Sequence, residues 1–132
     1  MSAVVDASLV VAAIVDSGNE GVWAERVLEE GGIVAPHLLL VEATNVLRRL
    51  ERSRELTRLE ANAAHRDLLR LDVELLPFEP FAERVWALRG GVTSYDAWYV
   101  AIAETLGLPF ATLDRRLARA TGPSCRFVTP DR

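Results

Sequence analysis

Short apolar segments that alternate with amphipathic stretches constrain the fold of this chain more than any other feature. Ala3-Val4-Val5-Asp6, Ile33-Val34-Ala35, Val73-Glu74-Leu75-Leu76, Leu108 to Leu113 and Arg126-Phe127-Val128 read as strands. Most carry apolar side chains at successive positions, so both faces of the sheet they form need cover. Helical spacing runs through Ser8 to Val15, Glu20 to Glu30, His37 to about Arg52, Leu59 to Leu71, Pro80 to Arg89 and Ser94 to Leu106, with a short helix at Arg115 to Ala120. The turns fall at Asp16-Ser17-Gly18-Asn19, Gly31-Gly32 and Gly90-Gly91. Strands alternating with helices imply an α/β domain, a central, mainly parallel sheet of four to five strands between two helical layers. With 132 residues and half of them hydrophobic, residues 1–132 are expected to form one domain.

Four acids interrupt this apolar pattern. Asp6 closes the first strand, Glu42 follows Leu38-Leu39-Leu40-Val41, Asp96 sits among Tyr95, Ala97, Trp98 and Tyr99, and Asp114 follows Phe110-Ala111-Thr112-Leu113. A carboxylate at the edge of a core needs a partner. Helix capping supplies an ordinary reading for three of them: Asp6 or Ser8 at the first helix, Asp96 in the first turn after a Ser94 cap, and Asp114 ahead of Arg115. Glu42 lies mid-helix on the border of the stripe formed by Leu39, Ala43, Val46, Leu47 and Leu50, where no cap is required. Taken together, four oxygen donors from separate segments, with Ser8, Asn45 and Thr112 close by in sequence, suit a hard divalent cation such as Mg²⁺ or Mn²⁺. Asp6 and Asp114 also stand at carboxyl ends of strands, where open parallel sheets form ligand sites. A cation held by carboxylates can acidify a bound water and neutralise a phosphodiester under attack, so phosphodiester hydrolysis is the expected chemistry.

Other reaction classes are excluded by what the chain lacks. All fifteen basic residues are Arg, which removes the P-loop lysine and Schiff-base chemistry. His37 and His65 have no ligand spacing to each other or to Cys125, so zinc is not expected. No Gly-x-Ser-x-Gly elbow or Gly-rich phosphate loop occurs. A net charge of −4 argues against a general nucleic-acid coat, though not against a nucleic-acid substrate. One cysteine, no charged leader and no membrane-length apolar run lead to the expectation of a soluble cytoplasmic protein. Arg48, Arg49, Arg52, Arg54 and Arg58 read as a solvated helix end, or as a surface that steers RNA or an acidic partner.

Val4-Val5-Asp6-Ala7-Ser8, Glu42-Ala43-Thr44-Asn45-Val46-Leu47, Ser94-Tyr95-Asp96-Ala97-Trp98-Tyr99 and Ala111-Thr112-Leu113-Asp114-Arg115-Arg116-Leu117 together resemble the PIN-domain ribonucleases, and within them the VapC toxins of type II toxin–antitoxin systems. The last two segments carry most of the specificity, and the likeness spans essentially the whole chain. The resemblance implies a PIN-like three-layer fold and a Mg²⁺- or Mn²⁺-dependent endoribonuclease. It places Asp6, Glu42, Asp96 and Asp114 in the catalytic and metal-binding set, with Ser8, Thr112 and Asn45 supporting. It also implies a VapB-type antitoxin partner and a toxin homodimer. The alternatives are a PIN-type nuclease in RNA maturation or acting on DNA outside a toxin system, and a cation-binding signalling module without catalysis.

Overall fold

The computed structural model describes residues 2–131. Five strands, β1 (Ala3–Val5), β2 (Ile33–Pro36), β3 (Glu74–Leu76), β4 (Phe110–Ala111) and β5 (Phe127–Val128), form one sheet in the order β3-β2-β1-β4-β5. Every pairing is parallel, with Val4 opposite Val34 on one side and Phe110 on the other. This sharpens the expectation of a mainly parallel sheet and follows from helical crossovers between successive strands. β1 and β2 are wholly buried, whereas the edge strands β3 and β5 keep solvent contact.

The helices are α1 (Ala7–Val15), α2 (Asn19–Glu29), α3 (Leu38–Arg52), α4 (Arg58–Leu69), α5 (Ala82–Ala87), α6 (Ser94–Leu106) and α7 (Arg115–Ala118). α6 lies across β1, β2 and β4, while α1 packs with α2, α3 and α4. The result is a three-layer α/β/α sandwich. α6 is apolar nearly all round, burying Ala97, Tyr99, Val100, Ala101, Ile102 and Ala103, as a helix in contact with the sheet must. Each large side chain buried there contributes roughly 1.5–3 kcal/mol of transfer free energy. The helix ends at Gly107, whose φ of 66° is the left-handed conformation glycine adopts at low cost.

The structure corrects several boundaries. The strand expected at Leu108 to Leu113 pairs only over Phe110–Ala111; the Thr112 N–H still reaches the Val128 carbonyl at 3.0 Å, and Asp114 then caps α7. The helix expected from Pro80 begins as a 3₁₀ turn at Glu79–Phe81 and ends at Ala87. α4 starts at Arg58 because Thr57 and Glu60 form a reciprocal capping box, the Glu60 carboxylate accepting from the Thr57 N–H at 2.8 Å. Ser94 is not the cap of α6. That role belongs to Thr93, whose Oγ1 accepts from the Asp96 N–H at 3.1 Å.

Because β2 and β3 lie on one side of β1 and β4 and β5 on the other, strand order reverses between β1 and β4. The crevice beyond their carboxyl ends is therefore the natural ligand position of the fold.

Candidate active site

Asp6 leaves β1 at that crevice and serves as the N-cap of α1, Oδ1 accepting from the Leu9 N–H at 3.2 Å. The Ser8 hydroxyl donates to the same oxygen at 2.6 Å, and the fully buried Thr112 hydroxyl donates to Oδ2. Thr112 Oγ1 in turn accepts from the Asp114 N–H at 2.9 Å, and Ser8 Oγ from the Leu113 N–H at 3.3 Å. Ser8 and Thr112 thus lace the start of α1 to the loop after β4, with Asp6 at the centre. Burial pushes the Asp6 carboxyl up from 3.8 to about 6, its hydrogen bonds pull the other way, and the Asp114 charge adds to the rise.

Asp114 caps α7 by accepting from the Leu117 N–H at 3.0 Å, as the capping reading requires, yet its charge is also felt by Asp6 and Asp96. It is exposed, so of the four acids expected at the edge of the core three are part-buried and Asp114 lies at the surface. Asp96 sits in the first turn of α6 and is raised by burial and then by Asp114. Glu42, on α3, accepts from Tyr99 Oη at 2.6 Å and is raised by burial, with Asp96 adding to the effect. The structure therefore gathers Asp6, Ser8, Glu42, Asp96, Thr112 and Asp114 around one crevice. Asn45 is exposed on α3, and among the described residues its side chain makes no hydrogen bond to this group.

Tyr99, which holds the Glu42 carboxylate, is the contact that sequence reasoning missed. It is 1% exposed, stacks on Phe110 with centroids 5.8 Å apart, and is held neutral by burial and by the Glu42 carboxylate. Its place one helical turn after Asp96 was the available signal. The glycine pair at Gly90-Gly91 has a second use here. A Cβ on Gly91 would come within 2.1 Å of the Thr121 carbonyl oxygen, so that close approach requires glycine beside the cleft formed by Thr93, Asp96, Asp114 and Arg116.

The donor set matches a hard divalent cation in type and charge: all ligand atoms are oxygen, and among the described residues none of the four carboxylates has an Arg ion pair. Burial and the neighbouring acids hold three of the four less acidic than usual, a balance that a cation would reverse. Among the described residues no three His, Cys, Asp or Glu side chains stand grouped as a ready coordination shell. Both Asp6 oxygens are engaged by hydroxyls and one Glu42 oxygen by Tyr99, so ligation entails turning or sharing these oxygens.

A family model described as the PIN domain matches residues 3–123. The chain is similar to ribonuclease VapC1 of Mycobacterium tuberculosis, 42% identical over 125 residues that cover 94% of each protein. It is also similar to the crystal structure of PAE2754 from Pyrobaculum aerophilum, with a TM-score of 0.65 and 30% identity over 89% of this chain and 84% of that one. The VapBC2 structure from Rickettsia felis, bound to a promoter DNA fragment, shares the fold at a TM-score of 0.66 and 15% identity, covering 99% of this chain and all of that one.

Proposed function

Because the chain belongs to the PIN-domain family, and within it to the VapC ribonucleases, we propose that it is a metal-dependent endoribonuclease toxin that hydrolyses RNA phosphodiester bonds. The observation that carries this reading is the gathering of Asp6, Glu42, Asp96 and Asp114 at the switch point of the sheet without a single Arg counter-ion among the described residues. Carboxylates kept as a mutually repelling set in a fold rich in Arg are best accounted for by an external cation.

These four carboxylates would hold Mg²⁺ or Mn²⁺. When bound, such an ion supplies a more acidic water and offsets charge on the phosphodiester. The chain's own contribution is positional. Ser8, Thr112 and the Leu9 N–H fix the Asp6 carboxylate at the end of β1. Tyr99 fixes Glu42 on a separate element, so helix and strand ends converge with little rotamer freedom left to lose. Asp114, exposed and with one oxygen free of the capping bond, would be the member of the set to take a proton from attacking water.

An antitoxin segment of the VapB type belongs to the same reading. An apolar groove lined by Val11, Val15, Val46, Leu50 and Leu56 runs up to Ser8, and so to the rim of the acidic crevice. An amphipathic segment lying in it could send a basic residue, best an Arg, onto the carboxylates and displace metal and substrate. Val41 and Tyr95, 67% and 63% exposed and next in sequence to Glu42 and Asp96, are apolar surface that a second copy of the chain would cover. The whole reading is tested by inducing the chain with and without a co-expressed antitoxin and mapping new RNA ends. Discrete new ends that vanish with the antitoxin and with Asp96→Asn are expected, and unchanged RNA would reject the reading.

A further inference from the structure

Several of the Arg residues are committed within the fold. Arg115 binds Glu20 at 3.4 Å and donates to the Pro130 carbonyl at 2.8 Å; Arg84 binds Glu104 at 2.6 Å; Arg89 lies over the Trp86 ring, 4.3 Å from its centroid. Arg116 differs. It is exposed, and among the described residues its side chain makes no hydrogen bond or ion pair, although it lines an open cleft of about 330 Å³ together with Thr93, Asp96, Asp114 and Leu117. It is the one basic residue lining that cleft among the described residues.

Its position is fixed rather than incidental. α7 is a single turn whose start is pinned by the Asp114 carboxylate on the Leu117 N–H, and Leu117 is buried beneath it. The Cα of Arg116, two residues after Asp114, is thereby held at a set distance from the catalytic set. A guanidinium this close to two carboxylates would gain from pairing with either, and it pairs with neither. Its five donors are left for an anion that enters the cleft from solvent.

We infer that Arg116 anchors the RNA strand by binding a phosphodiester group adjacent to the one cleaved, within the cleft between the start of α6 and α7. This inference rests on the ribonuclease reading above. The cleft is large enough for part of one nucleotide, and its acidic floor repels a polyanion unless a fixed cation offsets it. Arg offers a two-pronged fit to phosphate oxygens that Lys does not reproduce.

The test compares wild type, Arg116→Ala and Arg116→Lys in cleavage of a short, randomised single-stranded RNA. Arg116→Ala is expected to raise KM roughly tenfold, as loss of one good phosphate contact should, with kcat little changed. The salt dependence of kcat/KM should flatten by about 0.7 in the log–log slope, the value for one phosphate contact on a single strand. Arg116→Lys should recover the salt slope but only part of the KM loss. Unchanged KM and slope in Arg116→Ala would overturn the anchor, as would a fall in kcat at constant KM. A second arm measures fluorescence anisotropy of the same RNA on Asp96→Asn protein, with and without Arg116→Ala. Arg116-dependent binding by a protein whose wild type cuts no RNA would uphold the anchor and reject the ribonuclease reading; cleavage and binding indifferent to Arg116 would do the reverse.

Discussion

Two carboxylate-centred knots in this molecule use the same chemistry to opposite ends. Glu104, on the outer part of α6, accepts from Arg84 Nε and a second guanidinium nitrogen at 2.6 and 3.1 Å and from the Ser124 N–H and hydroxyl at 2.7 and 2.9 Å. Although burial raises it, those bonds and the Arg84 charge together hold its carboxyl below the usual range. Asp6 accepts three hydrogen bonds, all from neutral donors, and burial, with the Asp114 charge adding to it, pushes its carboxyl up to about 6. One knot is complete and ties α6 to α5 and to the loop before β5. The other is incomplete in charge, which is the difference expected between a structural carboxylate and one that takes a ligand as proposed above.

The largest effect that could break this comparison is on catalysis. Asp96→Asn is expected to lower RNA cleavage by about 10²–10³-fold, the scale of losing one preorganised electrostatic group, whereas Glu104→Gln should leave the rate within about twofold. Equal losses in a cleavage assay would mean that the two knots do not differ in role.

The pH dependence of stability sharpens the contrast. In the unfolded chain Asp6 titrates near its ordinary 3.8, and in the metal-free folded protein near 6. The folded state therefore holds the extra proton between those values. Its stabilising contribution is fully present below pH 3.8 and is lost as pH rises through about 6. At about 1.4 kcal/mol per pH unit the gap amounts to roughly 3 kcal/mol as an upper figure. Chemical denaturation of metal-free protein should show this rise toward acid, and Asp6→Asn, which keeps a good N-cap, should be more stable at neutral pH and lack that part of the rise. A less stable Asp6→Asn protein would show that the charge is welcome without metal.

Glu104→Gln should behave in the opposite sense. Loss of the charged pair with Arg84, itself 41% exposed at the side chain, should cost about 1–2 kcal/mol in denaturant unfolding. The smallest effect is expected of Tyr99→Phe, which removes one donor from Glu42 and leaves the stacked ring in place. Stability should change by about 1 kcal/mol or less, with cleavage down roughly tenfold. No change in cleavage would leave Tyr99 a packing residue only.

How much of this was legible in the chain depends on distance along it. α6 matches its sequence span of Ser94 to Leu106 because its apolar run, Thr-x-x-Asp start and terminal Gly are all local signals. Even there, Thr93 and Ser94 are adjacent cap-forming residues, and only backbone geometry selects the first: Thr93 is extended at φ −67°, ψ 159°. Asp6 and Asp114 were legible as caps and as candidate site residues because both readings follow from their place after a strand's carboxyl end. The bond between Tyr99 and Glu42 was not, since its partners lie 57 residues apart and meet only when α3 and α6 pack together. Nor was the exposure of Asn45, which shares its helix with Glu42 but reaches none of the donors. The Arg116 environment was hidden for the same reason, because a basic residue in sequence carries no record of which neighbours take up its charge.

The central claim is that the Asp6 set lacks the cation that Glu104 already has in Arg84. Calorimetric titration of Mg²⁺ into chelator-stripped protein near pH 6, repeated in two buffers of different ionisation enthalpy, tests it directly. Saturable binding with release of a fraction of a proton is predicted, because Asp6 is partly protonated at that pH and must ionise to serve as a ligand. Asp6→Asn should bind more weakly and release fewer protons, and Glu104→Gln should match wild type. Absence of saturable binding, or binding unaltered by Asp6→Asn, would contradict the account.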